Sequence, residues 1–360
     1  MNVRSASFRD LGRVEQLYRE AQNADENGPG PHPDSPVPQA TLLRLWHALS
    51  KTLSSLVPLG ETAGVLFVAE DDTEGVVGFI QAQGASMRPS VWQIVNLCVA
   101  PSAAGHFARE RLLTHLCSRG LDQGVHRFHV RLPLGHPLVG VFLEQGFTQF
   151  ATEQILFHEA PEQITRGELA ALSVRPARRE DAAAIHLLYQ RVTPSHIAGF
   201  EAPSLKTWQA SFAEGSVGRI GRDDVRHLVA ERPGVVGWAA IRPAGAGRPT
   251  ILSLMCEAHD PDIREGFVDA ILAELPPQPV SCVLRHYDSE LIRSLQHRGF
   301  AVYGTQLLLV RDLGIKVRIR SRRKQAAQVL AHAGIAGSRV SSPSLTVLRP
   351  SERRERSLPR

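Results

Sequence analysis

The chain has 360 residues, of which 43% are hydrophobic and 21% are charged, a composition typical of globular domains with ordinary cores. At roughly 100–200 residues per domain, this length suggests two or three units. No apolar run approaches the roughly 18–20 residues that a membrane-spanning helix needs, and the charged N-terminal stretch lacks the apolar segment of a secretory signal. We therefore expect a cytoplasmic protein without a membrane partner.

The net charge of +5 is unevenly distributed along the chain. Residues 315–360 contain twelve Lys and Arg residues and only two acids, Glu352 and Glu355, so this tail carries +10 and the preceding chain −5. The tail also contains few aromatic residues, and we predict that it is disordered. It is either a solubilising extension or a segment that contacts nucleic acid or acidic surfaces weakly, without sequence preference.

The cysteines and histidines show no pattern typical of a metal or redox site. Cys98, Cys117, Cys256 and Cys282 are far apart and form no C-x-x-C pair, which predicts reduced, buried thiols. The fifteen histidines include no H-E-x-x-H or comparable arrangement. We predict no bound metal.

The first half of the chain reads as strand, helix, two hairpin strands, strand, helix, strand, helix and strand. VRSASFRDLGRVEQLY opens it at Val3, and the hairpin VLFVAEDDTEGVVGFIQAQ spans residues 65–83. The later elements are IVNLCVAP, FARERLLTHLCSRGL, VHRFHVRLPL, PLVGVFLEQGF and TEQILFH. Residues 22–40 are rich in Pro and Gly and form either a solvated loop or a mobile lid over a substrate groove.

The second half repeats the same order. VRPARREDAAAIHLLY opens it at Val174, V-A-E recurs at residues 68–70 and 229–231, and G-V-V-G recurs at 75–78 and 234–237. The last helix of each half ends in Gly-Phe, where glycine supplies a left-handed cap. Such ordered self-similarity predicts a duplicated α/β domain. We predict domains at 1–160 and 174–314, a linker at 161–173 and the tail at 315–360.

These landmarks resemble the GNAT superfamily of acyl-CoA-dependent N-acetyltransferases, present in two tandem copies. The resemblance implies an α/β fold, of the α+β type with a mixed sheet, and transfer of an acetyl group from acetyl-CoA to an amine of a small molecule or a peptide. In the family, two diverging strands bind the pantetheine arm through their backbones, as an added strand would. The N-terminus of the following helix binds the pyrophosphate.

Carried over to this sequence, the resemblance assigns acyl-CoA contacts to both copies, namely to Leu97, Cys98, Val99, Gly105, Ala108, Arg109, Cys256, Ala258, Arg264 and Gly266. Neither copy matches the family's loop, Q/R-x-x-G-x-G/A. Ala104, Phe107 and Arg109 occupy its three defining places in the first copy, and Ile263, Gly266 and Val268 occupy them in the second. We therefore predict degenerate acyl-CoA loops, with at least one copy non-catalytic.

The family's proton donor is also missing from both copies. The tyrosine four residues before Gly-Phe is Phe142 in the first copy and Leu295 in the second. Tyr287 and Tyr303 lie near the corresponding elements of the second copy and are possible substitutes, of which we predict Tyr287.

A carboxylate is the expected base, and Glu257, at the end of a strand in the second copy, is the predicted one, with Glu70 and Glu231 as weaker candidates. Two other functions stay open. The chain is alternatively a ligand-binding or scaffold protein without turnover, or a nucleic-acid-associated protein that uses its basic tail.

Overall fold

The computed structural model describes residues 1–24, 64–85, 88–161, 172–201, 203–212, 225–243, 249–257 and 260–314. The loop or lid predicted at residues 22–40 lies outside the described residues from residue 25 onward. The same holds for residues 162–171 of the predicted linker and for the whole basic tail, residues 315–360. No helix in the described ranges has the length and apolar character needed to span a bilayer.

The described N-terminal half consists of six strands and three α-helices. In chain order these are β1 (Asn2–Ser5), α1 (Leu11–Ala24), β2 (Val65–Asp71), β3 (Gly75–Ala85), β4 (Arg88–Val99), α2 (Ala103–Asp122), β5 (Arg127–Pro133), α3 (Leu138–Glu144) and β6 (Thr148–His158). A short 3-10 helix, Phe8–Asp10, precedes α1. The element order is the one that the sequence predicts.

The C-terminal half has the same order, with two additional described helices after its first one. Its elements are β7 (Ser173–Pro176), α4 (Ala182–Val192), α5 (Ser195–Glu201), α6 (Leu205–Ser211), β8 (Arg226–Glu231), β9 (Val235–Arg242), β10 (Thr250–Cys256), α7 (Pro261–Leu272), β11 (Val280–Arg285), α8 (Ser289–Gln296) and β12 (Ala301–Asp312). A 3-10 helix, Arg179–Asp181, again precedes the first helix.

All described strands join in one mixed sheet, in the order β1-β2-β3-β4-β5-β12-β6-β11-β10-β9-β8-β7. The order is symmetric about its centre, because each strand of one half has its counterpart at the same distance on the other side. The closing strands are exchanged: β12 pairs with β5 of the N-terminal half, and β6 pairs with β11 of the C-terminal half. The two closing strands also pair with each other.

The repeated opening motif forms the same hydrogen-bonded cluster in both halves. Arg4 donates to both oxygens of Asp10, at 2.7 and 2.9 Å, and to Glu70 at 2.9 Å. Arg175 donates to Asp181 at 2.8 Å and to Glu231 at 2.5 Å. The cluster connects the first strand, the 3-10 helix before the first α-helix, and the V-A-E strand, which explains why these residues recur at the same spacing.

Helices cover both faces of the sheet. In the C-terminal half, Leu228 and Ala230 of β8 face the core that contains residues of α7 and α8. Val229, between them, faces a second core with residues of α4 and α6. Alternate strand residues therefore point to opposite helical layers, as the two-residue period of a strand requires.

The predicted glycine caps are confirmed at the ends of α3 and α8. Gly146 and Gly299 have φ angles of 78° and 87°, in the left-handed region that residues with a side chain disfavour. The phenylalanines that follow, Phe147 and Phe300, are buried in the cores. The fold is the predicted α/β fold with a mixed sheet and two similarly built halves.

Candidate functional site

The central parallel strands of each half diverge, as the resemblance implies. In the N-terminal half, β4 and β5 are paired from Val91 with Arg127 to Ile94 with Val130, and no further. In the C-terminal half, β10 and β11 are paired from Thr250 with Val280 to Leu252 with Cys282. Beyond these pairs the carboxyl ends of both strands are separate, so each half has an opening, which we call the N-terminal and the C-terminal mouth.

Only the N-terminal mouth has an irregular strand along its edge in the described residues. The register between β3 and β4 shifts between Gln81–Asn96 and Ala82–Ile94, which leaves Val95 as an extra residue in β4. The equivalent pairing of β9 with β10 is regular throughout. A bulge bends its strand and is common next to active sites. The predicted contacts Leu97, Cys98 and Val99 follow this bulge on β4.

The helix after β4 packs unusually close to the strand end. Ser102 caps α2, and its Oγ accepts a hydrogen bond from the Gly105 N–H at 3.2 Å. A Cβ atom on Gly105 would overlap the carbonyl oxygen of Ala100. The missing side chain at Gly105 therefore lets the helix N-terminus approach the end of β4, while Ala108 is buried one turn further along.

The N-terminal end of α2 is suited to an anion. Its first turn contains no acidic residue, and the nearest carboxylate contact is Glu74, which accepts a hydrogen bond from the Ser102 hydroxyl at 2.8 Å. Arg109 makes no salt bridge with any described residue, and its Nε is buried without a hydrogen-bond partner. Because helical side chains lean toward the helix N-terminus, the guanidinium can reach toward the first turn.

The corresponding end of α7 is acidic. Asp260 caps the helix by accepting from the Asp262 N–H at 3.0 Å, and Asp262 and Glu265 add two more carboxylates within the first turns. These groups oppose a bound pyrophosphate, because they offset the positive end of the helix dipole. Arg232, 3.8 Å from Asp260, is a partial counterion.

Arg264, the predicted phosphate contact of the C-terminal copy, points into the protein instead. It is 9% exposed, donates to Ser294 at 3.1 Å, and lies 3.6 Å from Glu290. Both partners belong to α8, so the guanidinium connects α7 to α8. Arg264 also contacts the carboxylate of Glu265, at 3.3 Å, within the same cluster.

The other predicted contacts of the C-terminal copy surround the end of β10. Cys256 is buried, and burial raises the pKa of its thiol to about 12, so it is not a thiolate at neutral pH. Gly266 lies in α7 with open space around its Cα. Ala258 lies outside the described residues. The roles of these residues toward acyl-CoA stay predictions.

Glu257 and Tyr287, the predicted catalytic pair, contact the C-terminal end of the same helix. Arg191 of α4 donates to Glu257 at 3.2 Å and to the carbonyl oxygen of Val235. Tyr287 makes a side-chain hydrogen bond with Thr193, the residue that follows α4. Both side chains thus have structural partners, and α4 connects the carboxyl ends of β10 and β11 across the C-terminal mouth.

Burial shifts the pKa values of two neighbouring groups at this mouth. Desolvation, with the nearby charge of Asp288, raises the pKa of Tyr287 to about 12. Desolvation likewise raises the pKa of Asp288 to about 7. The hydroxyl of Tyr287 therefore stays protonated at neutral pH. The side chain of Tyr287 packs in a cluster with Phe150, Ile197 and Phe200.

The family's tyrosine positions contain buried apolar side chains. Phe142 and Leu295 are each 0% exposed. The Phe142 ring packs against Phe147 with centroids 4.9 Å apart. Neither residue can supply a proton, in agreement with the sequence prediction.

The structure also identifies polar groups that the sequence did not single out. Asn96, directly after the bulge in β4, donates to Gln81 of β3 at 2.7 Å. Gln81 is 6% exposed, so the pair forms a buried polar spot beside the N-terminal mouth. The sequence offers only a weak signal for this pair, because Gln83 and Gln93 place further amide side chains in the same two strands.

Comparison with known proteins agrees with this geometry. Residues 15–147 match the family model described as the acetyltransferase (GNAT) family. This range contains the N-terminal mouth, the bulge and α2. A comparison with curated proteins gave no match.

Two solved structures show the same fold at low sequence identity. A GCN5-related N-acetyltransferase from Sphaerobacter thermophilus has a TM-score of 0.53 and 14% identity, over 88% of this chain and 96% of that chain. A GCN5-related glucosamine N-acetyltransferase region of a fungal multi-domain GH3 β-N-acetylglucosaminidase has a TM-score of 0.55 and 14% identity, over 86% of this chain and 38% of that chain. These similarities extend over both halves and establish the fold.

Proposed function

We propose that this chain transfers an acetyl group from acetyl-CoA to an amine. The match of residues 15–147 to the acetyltransferase (GNAT) family model and the fold shared along both halves support acyl-CoA-dependent N-acetyltransferase activity in general. We further propose that the N-terminal mouth binds acetyl-CoA and that the acceptor is a small molecule or a peptide.

The observation that carries this proposal is the difference in charge and shape between the two mouths. The N-terminal mouth combines a bulged strand, a closely packed helix end at Gly105 and Arg109, which has no acidic partner among the described residues. The C-terminal mouth has a regular strand and carboxylates at the helix end. Removing water from several like charges is costly, so a pyrophosphate favours the N-terminal site.

The residues of the N-terminal mouth fit acetyl-CoA in three ways. The unpaired backbone of β4 after Val95 offers hydrogen bonds to an extended amide chain. The free N–H groups at the start of α2, with Arg109, offer donors to phosphate oxygens. Asn96 and Gln81 offer polar groups that orient an amine beside the diverging strands. Acetyl-CoA itself supplies the activated thioester, so that correct positioning of the amine contributes much of the rate.

The C-terminal copy has a structural role in this proposal. Contacts from Arg191 and Thr193 connect the ends of β10 and β11, and Glu257 and Tyr287 are the residues that receive them. The copy also provides β12, without which β5 would have an unpaired edge. In this proposal the C-terminal copy is therefore the non-catalytic one that the sequence predicts.

Calorimetric titration of the full chain with acetyl-CoA tests the proposal. We expect saturable binding of one molecule per chain. Arg109→Ala is expected to weaken binding about 10-fold or more, because a hydrogen bond to a charged group contributes about 1.5–3 kcal/mol. Arg119→Ala, at the exposed C-terminal end of the same helix, is the control and should leave the affinity unchanged.

Two results would contradict the proposal. One is the absence of binding to the wild-type chain at millimolar acetyl-CoA. The other is equal affinity of the Arg109 and Arg119 variants.

A further inference from the structure

The strand exchange brings the first residues of β12, from the C-terminal half, beside the carboxyl end of β5. The N–H of Leu134, directly after β5, donates to the carbonyl oxygen of Thr305 in β12 at 2.9 Å. Gln306 pairs with Pro133, the last residue of β5. The first residues of β12 therefore extend past the carboxyl end of β5, where β4 and β5 have diverged.

Tyr303 occupies a bulge in this extension. Val302 pairs with Leu156 and Gly304 with Ile155, so that Tyr303 is the extra residue between them. It is two residues beyond Thr305, about 7 Å at the usual rise of a strand. A bulge redirects the side chain of its extra residue. Tyr303 is 54% exposed, and its one ring contact among the described residues is with Phe157 of β6, with centroids 6.3 Å apart.

The C-terminal mouth has a matching aromatic residue that is buried. Phe150 is the extra residue of a second register shift, between Leu308–Ala151 and Leu309–Gln149, and lies near the carboxyl end of β11. It is 9% exposed and packs against Ile197 and Phe200 of α5. The two mouths thus receive equivalent aromatic residues from the exchanged strands. Phe150 is buried and apolar, whereas Tyr303 is exposed and bears a hydroxyl group.

We propose that Tyr303, supplied by the C-terminal half, is the proton donor for acetyl transfer at the N-terminal mouth. The inference rests on the proposed function. It extends that function by placing one catalytic group of the N-terminal mouth in the C-terminal copy. It also accounts for the buried Phe142 at the position where the family has tyrosine, because the hydroxyl comes from a different strand.

The proton balance of the step is simple. The amine nitrogen forms the new bond to the acetyl carbon and releases one proton to water. Tyr303 Oη donates its proton to the sulfur as the carbon–sulfur bond breaks. Water then returns a proton to the phenolate, which the exposure of Tyr303 permits. No other reactant is needed.

Tyr303→Phe in the full chain is the test, with Val302→Ala as a control from the same exposed bulge. Acetyl-CoA binding is measured by calorimetry, and transfer from acetyl-CoA to hydroxylamine, a minimal amine acceptor, is measured by thiol release. We expect Tyr303→Phe to keep the wild-type affinity and melting temperature and to lower the transfer rate by about 10²-fold, the usual contribution of a positioned acid. Val302→Ala should behave as wild type.

The outcomes separate this inference from the function it rests on. A wild-type chain that does not bind acetyl-CoA, or that binds it without transferring the acetyl group, contradicts the proposed function. A wild-type chain that does both, with an equal rate for Tyr303→Phe, overturns the role of Tyr303 alone. A rate that falls only because the variant loses affinity for acetyl-CoA also overturns it, since a proton donor acts on the chemical step.

Discussion

Single arginines organise the first turn of each half. Arg4 holds Asp10 through two hydrogen bonds, and this interaction keeps the pKa of the Asp10 carboxyl far below its usual range. Arg175 lowers the pKa of Asp181 in the same way. Removal of either arginine would leave a mostly buried carboxylate without its counterion, which is costly. The residues shared by the first motif of each half are thus required by the fold and carry no information about the substrate.

His227 makes stability depend on pH. Its ring lies between Phe212 and Trp238, at centroid distances of 4.8 and 5.8 Å, and burial lowers its pKa to about 4. The unfolded chain binds the proton near pH 6.5, so stability from the neutral ring is present above that pH and is lost as the pH falls toward 4. We expect the free energy of unfolding to fall by about 1–2 kcal/mol between pH 7.5 and pH 5 from this residue alone.

Urea denaturation of His227→Phe at the two pH values measures this effect. The variant should lose that part of the pH dependence, whereas replacement of the exposed His297 by Phe should retain it. Identical pH dependence in wild type and His227→Phe would show that the ring is not buried in its neutral form.

At the scale of elements, the exchange of closing strands determines how the halves are joined. Each half supplies the strand that covers the last parallel strand of the other. A row of unpaired backbone groups at an exposed strand edge promotes aggregation. Ion pairs at the centre of the sheet also connect the two halves. Glu153 of β6 contacts Arg131 of β5 at 3.0 Å and also contacts Arg285 of β11.

Separation of the halves tests the exchange. If the chain is cut between residues 161 and 172 and both fragments are co-expressed, we expect a stable one-to-one complex by light scattering. Each fragment expressed alone should aggregate or pair with itself, and the uncut chain is the control. Two fragments that are each monomeric and fully folded alone would contradict the strand exchange as a requirement for folding.

The sequence predicts the elements better than it predicts their partners. The opening motif, the hairpins and the Gly-Phe caps are local patterns, so they identified the duplicated α/β order. The pairing of β12 with β5 involves residues far apart in the chain, and the continuous apolar run of β12, from Leu307 to Val310, does not identify its neighbours. For this reason the sequence does not show that the start of β12, which contains Tyr303, lies beside the carboxyl end of β5. The contacts of Arg264 with α8 were not predicted for a related reason, because a loop motif does not show which way a helix is rotated.

At the scale of the whole molecule, the two similarly built halves have mouths of unequal character. The N-terminal mouth has the bulge and a helix end without first-turn acids, and the C-terminal mouth is held by contacts from α4. The predicted domain limits at 1–160 and 174–314 stay a prediction, since strands of both ranges form one sheet.

The basic tail likewise stays a proposal for weak nucleic-acid contact. Salt-sensitive DNA binding that disappears when the chain ends at Leu313 would support it.

A crystal structure of the full chain soaked with acetyl-CoA is the most direct test of this account. We predict that the pantetheine lies between β4 and β5, with its pyrophosphate at the N-terminus of α2, and that the space between β10 and β11 contains no ligand. Acetyl-CoA bound between β10 and β11 instead, or absent from both mouths at saturating concentration, would contradict it.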